Sequence, residues 1–235
     1  MEQGNPENTS FFAGGEILSV TLSFLLIVWV VLPLSDHSKT VAALFASLTF
    51  LFMFLSHRAH GESLRDIGWR TDNLKRALLS VAVFTVPAAL GLILGGWLLN
   101  NFISGFGPHR ERYLWAFGGD KLRGAELFWR AAMIFSGLVQ QYVVQGFLNR
   151  RAQIIWRRGP TSVIVTATIF ALLHLPNYWL MAATFLGGAA WAYIYQRTPN
   201  LYALALSHLI MTWLLVVTLP ASCLRGLRVG FRFFV

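Results

Sequence analysis

Residues 138–149 read LVQQYVVQGFLN, an apolar run with glutamines at positions 140, 141 and 145, where a lipid-facing helix would carry leucines. The run extends from Glu126 to Leu148, long enough as a helix to cross a hydrocarbon core, which takes about 20 residues. Gln141 and Gln145 are four apart and share a helix face, with Gln140 about 100° around from Gln141 and Gly137 one turn before it. Amides are costly against lipid, so this face turns toward other helices or a water-filled cavity. The stretch therefore calls for a bundle of spans built around it.

Composition agrees. Of 235 residues, 56% are hydrophobic and 12% are charged, against about 25% charged in an ordinary soluble domain. Further apolar runs occupy Glu16 to Leu34, Thr40 to Ser56, Ala77 to Leu99, Thr161 to His174 with a continuation to Tyr195, and Leu201 to Leu219. The predicted fold class is all-α, a polytopic membrane helix bundle of about six to eight helices. The first run follows an acidic, polar stretch without Lys or Arg, and no small-residue cleavage site follows it, so it reads as a retained span. The spans take up almost the whole chain, which leaves function to the bundle and its short loops. Three regions are expected: two spans over 1–60, a core bundle over 61–219 and a basic tail over 220–235. The expected location is a bacterial inner or cell membrane, crossed several times.

A net charge of +9 would suggest nucleic acid in a soluble protein. Here the cations flank spans, as at Arg150, Arg151, Arg157 and Arg158, so they read as anchors to anionic lipid, with no nucleic-acid partner. The loops at 57–76, 149–160 and 196–200 hold ten of the 19 basic residues; if they share the cytoplasmic side, that small bias favours a cytoplasmic N-terminus. Cys223 is the single cysteine, which excludes an internal disulfide and a thiolate metal site. Residues 57–75 predict a short interfacial helix or turn with Trp69 at headgroup depth, and residues 100–124 an interfacial loop that lies over the bundle as a lid.

Two more runs carry polar groups. His174 follows TIFAL and precedes LPN, ending at Asn177, while His208 lies in ALALSHLIMTW with Thr212 one turn on. At 1.5 Å per residue, Gln140 lies about 14 Å from the 149 end, His174 about 20 Å from the 161 end and His208 about 12 Å from the 200 end. Alternation of spans puts those ends on one membrane face, so the three groups fall at similar depth. Each alone reads equally well as a hydrogen bond between packed helices. Their convergence from three spans reads as a site.

These residues resemble the CPBP family of intramembrane proteases, which includes the type II CAAX prenyl proteases and bacteriocin-processing proteins. The family pattern is Glu-Glu with Arg four residues after the second Glu, then Phe-x-x-x-His, then His-x-x-x-Asn, each on its own span. Here Phe170-Ala-Leu-Leu-His174 is intact, His208-Leu-Ile-Met-Thr212 keeps the histidine, and Gln140-Gln141-Tyr-Val-Val-Gln145 stands at the first element. The likeness covers roughly residues 60–218 and rests on three motifs in order. In the family the first Glu is thought to act as base on a water, while the histidines and Asn position it and stabilise the oxyanion. Carried over, the resemblance puts the base position at Gln140, the second acid at Gln141 and the arginine at Gln145. His174 and His208 keep their roles and Thr212 stands for the Asn; Gln145, Phe170 and Asn177 are expected as binding residues.

An amide does not titrate in the working pH range and takes no proton from water. Replacing both acids and the arginine together keeps a buried helix neutral, whereas removing the acids alone would strand a cation. Three readings stay open: a hydrolase acting on a membrane-embedded or lipidated peptide with a histidine base, a family member that binds or escorts such a partner uncut, and a small transporter or channel. Two histidines with neutral amides make a poor divalent site, so no metal and no cofactor are predicted.

Overall fold

Among the residues described by the computed structural model, 6–33, 38–102, 126–219 and 221–234, all regular structure is helical. Helix α1 (Pro6–Leu26) continues as a π-helical segment, Ile27–Val31, and is followed by α2 (Ser38–Ala59), the short α3 (Leu64–Ile67) and α4 (Leu74–Phe102). Helix α5 (Glu126–Gln141) runs without a break through a π-helical segment, Tyr142–Asn149, into α6 (Arg150–Trp156). A hairpin of α7 (Pro160–Leu172) and α8 (Tyr178–Arg197) precedes α9 (Leu201–Thr218) and the short α10 (Ala221–Leu224). Of the lid predicted at 100–124, residues 100–102 complete α4 and the rest lies outside the described residues.

Four described stretches are long and apolar enough to cross a membrane: Ser10–Val31, Lys39–Ala59, Leu74–Leu99 and Leu201–Thr218. The protein is integral to the membrane. The runs at 126–148 and 178–195 are also helical but fall outside this set. Gln141 and Gln145 of the first run are buried, as are Asn149 and Gln196 just beyond the two runs.

Local chemistry sets the helix ends. Ser63 and Asp66 form a reciprocal capping box at the start of α3, which ends at Gly68 with φ of 104°, so a short helix and turn stand within 57–75. Pro160 occupies the first turn of α7, where its missing N–H has no helical partner to lose. Asn177 and Asn200 cap α8 and α9 by accepting from the amides of Leu180 and Ala203 at 3.2 and 2.9 Å. The Asn200 amide also donates to the Arg70 carbonyl at 2.8 Å, Leu201 N–H donates to the Gly68 carbonyl at 2.9 Å, and Gly159 N–H donates to Gln196 Oε1 at 3.0 Å. The loops at 57–76, 149–160 and 196–200 thus meet at one end of the bundle.

That end holds a charged network where lipid anchors were expected. The Arg151 side chain is fully buried and pairs with Glu16 Oε2 at 2.7 Å and Glu62 Oε2 at 3.0 Å, and it donates to Ser56 Oγ at 2.9 Å. Arg150 pairs with Glu62 Oε1 at 2.6 Å, and His60 faces Glu16 at 3.2 Å. Arg151 is therefore not a lipid anchor, because two carboxylates from the N-terminal half enclose it. Glu16 likewise does not open the first span. It lies within the apolar stretch Ser10–Val31, paired where a lone carboxylate would be costly.

Burial would raise the Glu62 carboxyl, but the hydrogen bond with His57 and the charges of Arg151 and Arg150 outweigh it and hold the group down from 4.5 to about 2. A carboxyl lowered on folding stabilises the fold above its unfolded value, and that contribution is lost as pH falls through the folded one. Stability in detergent is expected to drop as pH falls from 4.5 to about 2. Glu62→Gln should flatten that part of the pH–stability curve, and a curve unaltered by the substitution would contradict the assignment.

Candidate active site

The helix bearing the glutamines passes between α7, α8 and α9 and delivers them to different surroundings. Gln141 is fully buried, and its amide N–H donates to His208 Nδ1 at 3.1 Å. Gln145 is also fully buried and accepts from the Asn149 amide at 2.9 Å. Asn149 donates to the Ala192 carbonyl at 3.2 Å and accepts from Gln196, whose amide reaches Ser162 Oγ at 2.9 Å. Neutral amides thus join the π segment to α7 and α8 where the family pattern would place charge. Gln141 Oε1 and Gln145 Nε2 are buried without a hydrogen-bond partner among the described residues. They stand one helical turn apart, an acceptor and a donor where the resemblance would put the second acid and the arginine.

Gln140 turns the other way. It is half-buried, donates to Ser136 Oγ at 3.0 Å and lines a cavity of about 660 Å³. His174, His208, Phe170 and Thr212 line the same cavity. The remaining wall is mostly aliphatic and aromatic, from α1, α4, α5, α8, α9, Leu227 and Val229, with no charged side chain among the described residues. The polar groups expected at one depth do converge here.

The histidines are held in complementary states. His174 lies in the turn beyond α7, with Nδ1 2.8 Å from the Phe170 carbonyl. A carbonyl only accepts, so Nδ1 carries the proton and Nε2 of the neutral ring keeps its lone pair. His208 receives the Gln141 amide at Nδ1, which leaves the proton of its neutral ring on Nε2. One imidazole accepts and the other donates.

Aromatic packing fixes both rings. Phe170, fully buried, presents its ring edge-on to His174 at 5.0 Å and to His208 at 6.0 Å. Trp191 stacks on His208 with centroids 4.7 Å apart. A hydroxyl chain holds Trp191: its indole N–H donates to Ser207 Oγ at 2.9 Å, and Ser207 lies 2.6 Å from Thr85 Oγ1, which donates to the Val81 carbonyl. Thr85 has no second proton, so Ser207 donates to it. The α7–α8 approach depends on Gly188, where a Cβ would lie 3.0 Å from the Phe170 ring and 3.5 Å from Ala167 Cα. Gly188→Leu is expected to displace Phe170 and both imidazoles and to destabilise the fold by about 1–3 kcal/mol, read from unfolding in detergent.

Three predicted site residues stand apart from the cavity wall: Gln141, which reaches it only through His208, Gln145, in the amide network above, and Asn177. The Asn177 side chain caps α8 and donates to the carbonyls of Leu224 and Arg228 at 2.9 and 3.2 Å. Sequence reasoning missed Trp191, Ser207 and Thr85, which in isolation are ordinary residues of an apolar helix.

The donor set does not suit a divalent metal. It offers two imidazoles and an amide already bound to one of them, and among the described residues no three His, Cys, Asp or Glu side chains are grouped to hold an ion.

The sequence model of the type II CAAX prenyl endopeptidase Rce1-like family matches residues 124–214. The match takes in α5 to most of α9, with all the residues of the cavity wall that carry polar groups other than backbone. No curated protein and no solved structure matches the chain.

Proposed function

We propose that this chain, which matches the Rce1-like type II CAAX prenyl endopeptidase family over residues 124–214, hydrolyses a membrane-associated peptide by imidazole chemistry. The supporting observation is the pair of histidines with opposite hydrogen-bonding character on one apolar cavity wall. His174 Nε2 takes a proton from water as the water oxygen bonds to the peptide carbonyl carbon. His208 Nε2–H and the Thr212 hydroxyl donate to the developing oxyanion. The tetrahedral species collapses with cleavage of the C–N bond, and the His174 imidazolium gives its proton to the departing amine. A positioned base contributes about 10²–10⁴ in rate and an oxyanion donor about 10²–10³. The uncharged wall suits an apolar segment or a lipidated one.

A second reading has its own support, since the lining residues include no acid and the first motif is wholly amide. In it, the cavity holds the same guest without cutting it. A photoreactive side chain at Met211, on the wall at an unspecified position of the third motif, separates the two when the protein is reconstituted with a membrane-anchored peptide. Hydrolysis gives crosslinks together with shortened peptide; holding gives crosslinks to full-length peptide alone. No crosslink at Met211 would contradict both.

A further inference from the structure

His174 stands in a turn and not in a helix, so the ladder of α7 does not fix it. Within the turn, His174 N–H donates to the Ala171 carbonyl at 2.9 Å and Asn177 N–H to the His174 carbonyl at 3.0 Å. The imidazole is tied to α7 through the Phe170 carbonyl and ring, whereas the backbone of the turn beyond it is tied to the C-terminal segment. Gly230 N–H donates to the Leu175 carbonyl at 2.6 Å, and the Asn177 amide donates to the carbonyls of Leu224 and Arg228. On its other side the segment is wedged against the first helix. Gly230 has φ of 59°, and a Cβ there would come within 2.5 Å of the Val28 carbonyl oxygen. Leu227 and Val229 form part of the cavity wall, and Leu224 packs with Leu180 and Val216.

We infer that residues 224–230 are a positioning strap for His174, with Asn177 and Gly230 as its two fastenings, and that the strap keeps the imidazole aimed at the cavity. The segment is thus a working part of the site and not a basic tail. His208 is held independently by Gln141 and Trp191, so loosening the strap affects one histidine and spares the other.

The inference rests on the reading of His174 as base, but its test does not require activity. Asn177→Ser keeps a good helix cap and removes both amide bonds to the strap. Gly230→Ala opposes a Cβ to the Val28 carbonyl at a left-handed position. In full-length protein with ¹⁵N-labelled histidine, reconstituted in vesicles, His174 is expected to show one Nδ1-protonated tautomer. In either variant it should average between tautomers while the His208 signal stays unchanged. Cleavage of a membrane-anchored peptide should fall about 10- to 100-fold, as misplacement of a reacting group does, mainly in kcat. Failure of Gly230→Ala to fold leaves the Asn177→Ser comparison decisive. An unaltered His174 signal in Asn177→Ser, or equal changes at both histidines, would overturn the strap. Altered His174 with no cleavage even by the unsubstituted chain would support the strap and remove the hydrolase reading.

Discussion

Arg151→Ala is expected to destabilise the folded protein by about 3–5 kcal/mol, the range for breaking a buried ion pair from one side. An exposed pair would lose about 1 kcal/mol or less; the difference is burial. Arg151 has no exposed surface and faces Glu16 and Glu62, whose side chains are 15% and 10% exposed. Its removal leaves Glu16 with Ser56 and His60, while Glu62 keeps Arg150 and His57. Because Glu16 belongs to α1 and Arg151 to α6, the loss should appear first as release of the N-terminal helices from the core. Chemical unfolding in mixed micelles measures it. Arg151→Met combined with Glu16→Gln and Glu62→Gln should recover much of the loss, since neutral replacements leave no stranded charge. A loss below about 1 kcal/mol for Arg151→Ala would place the network among surface pairs.

Gln145→Arg should be the second large effect, and its sign depends on position 141. A guanidinium at 145 would be fully buried, with Asn149 as its present neighbour and no acid on the cavity wall. The single substitution is expected to cost about 3 kcal/mol or more. Gln141→Glu alone strands a carboxylate beside the neutral His208 ring. Together they reconstitute the Glu–Arg spacing of the family pattern across one helical turn, where two partnerless amide atoms now stand. A double-mutant cycle should therefore show favourable coupling of about 1–3 kcal/mol. Simple additivity would mean that the two positions do not face each other.

The same residues explain what was legible in the sequence. Glutamines and histidines in apolar runs are conspicuous because hydrocarbon excludes them, and their depths follow from helical rise alone. That sufficed to bring Gln140, His174, His208 and Thr212 to one cavity. The support for His208 was not legible, because Trp191, Ser207 and Thr85 are unremarkable in a membrane helix until their hydrogen bonds are seen. The Glu16–Arg151 pair was hidden for another reason. Each charge lies near the end of an apolar run and so reads as an interfacial residue, and nothing local marks partners separated by most of the chain. Asn177 misled through its place after His174. In Leu-Pro-Asn it sits where a site residue could stand, yet its side chain caps the next helix and holds the C-terminal strap.

The central claim is that two imidazoles, one accepting and one donating, cut a peptide bond in this cavity without a carboxylate. Its most direct test is the mass of a membrane-anchored peptide after incubation with purified, reconstituted protein, compared with the His174→Ala and His208→Ala variants. Cleavage is expected with the unsubstituted chain, reduced by about 10²–10⁴ in His174→Ala and about 10²–10³ in His208→Ala, with both variants folded. Cleavage at the same rate in both variants would contradict it.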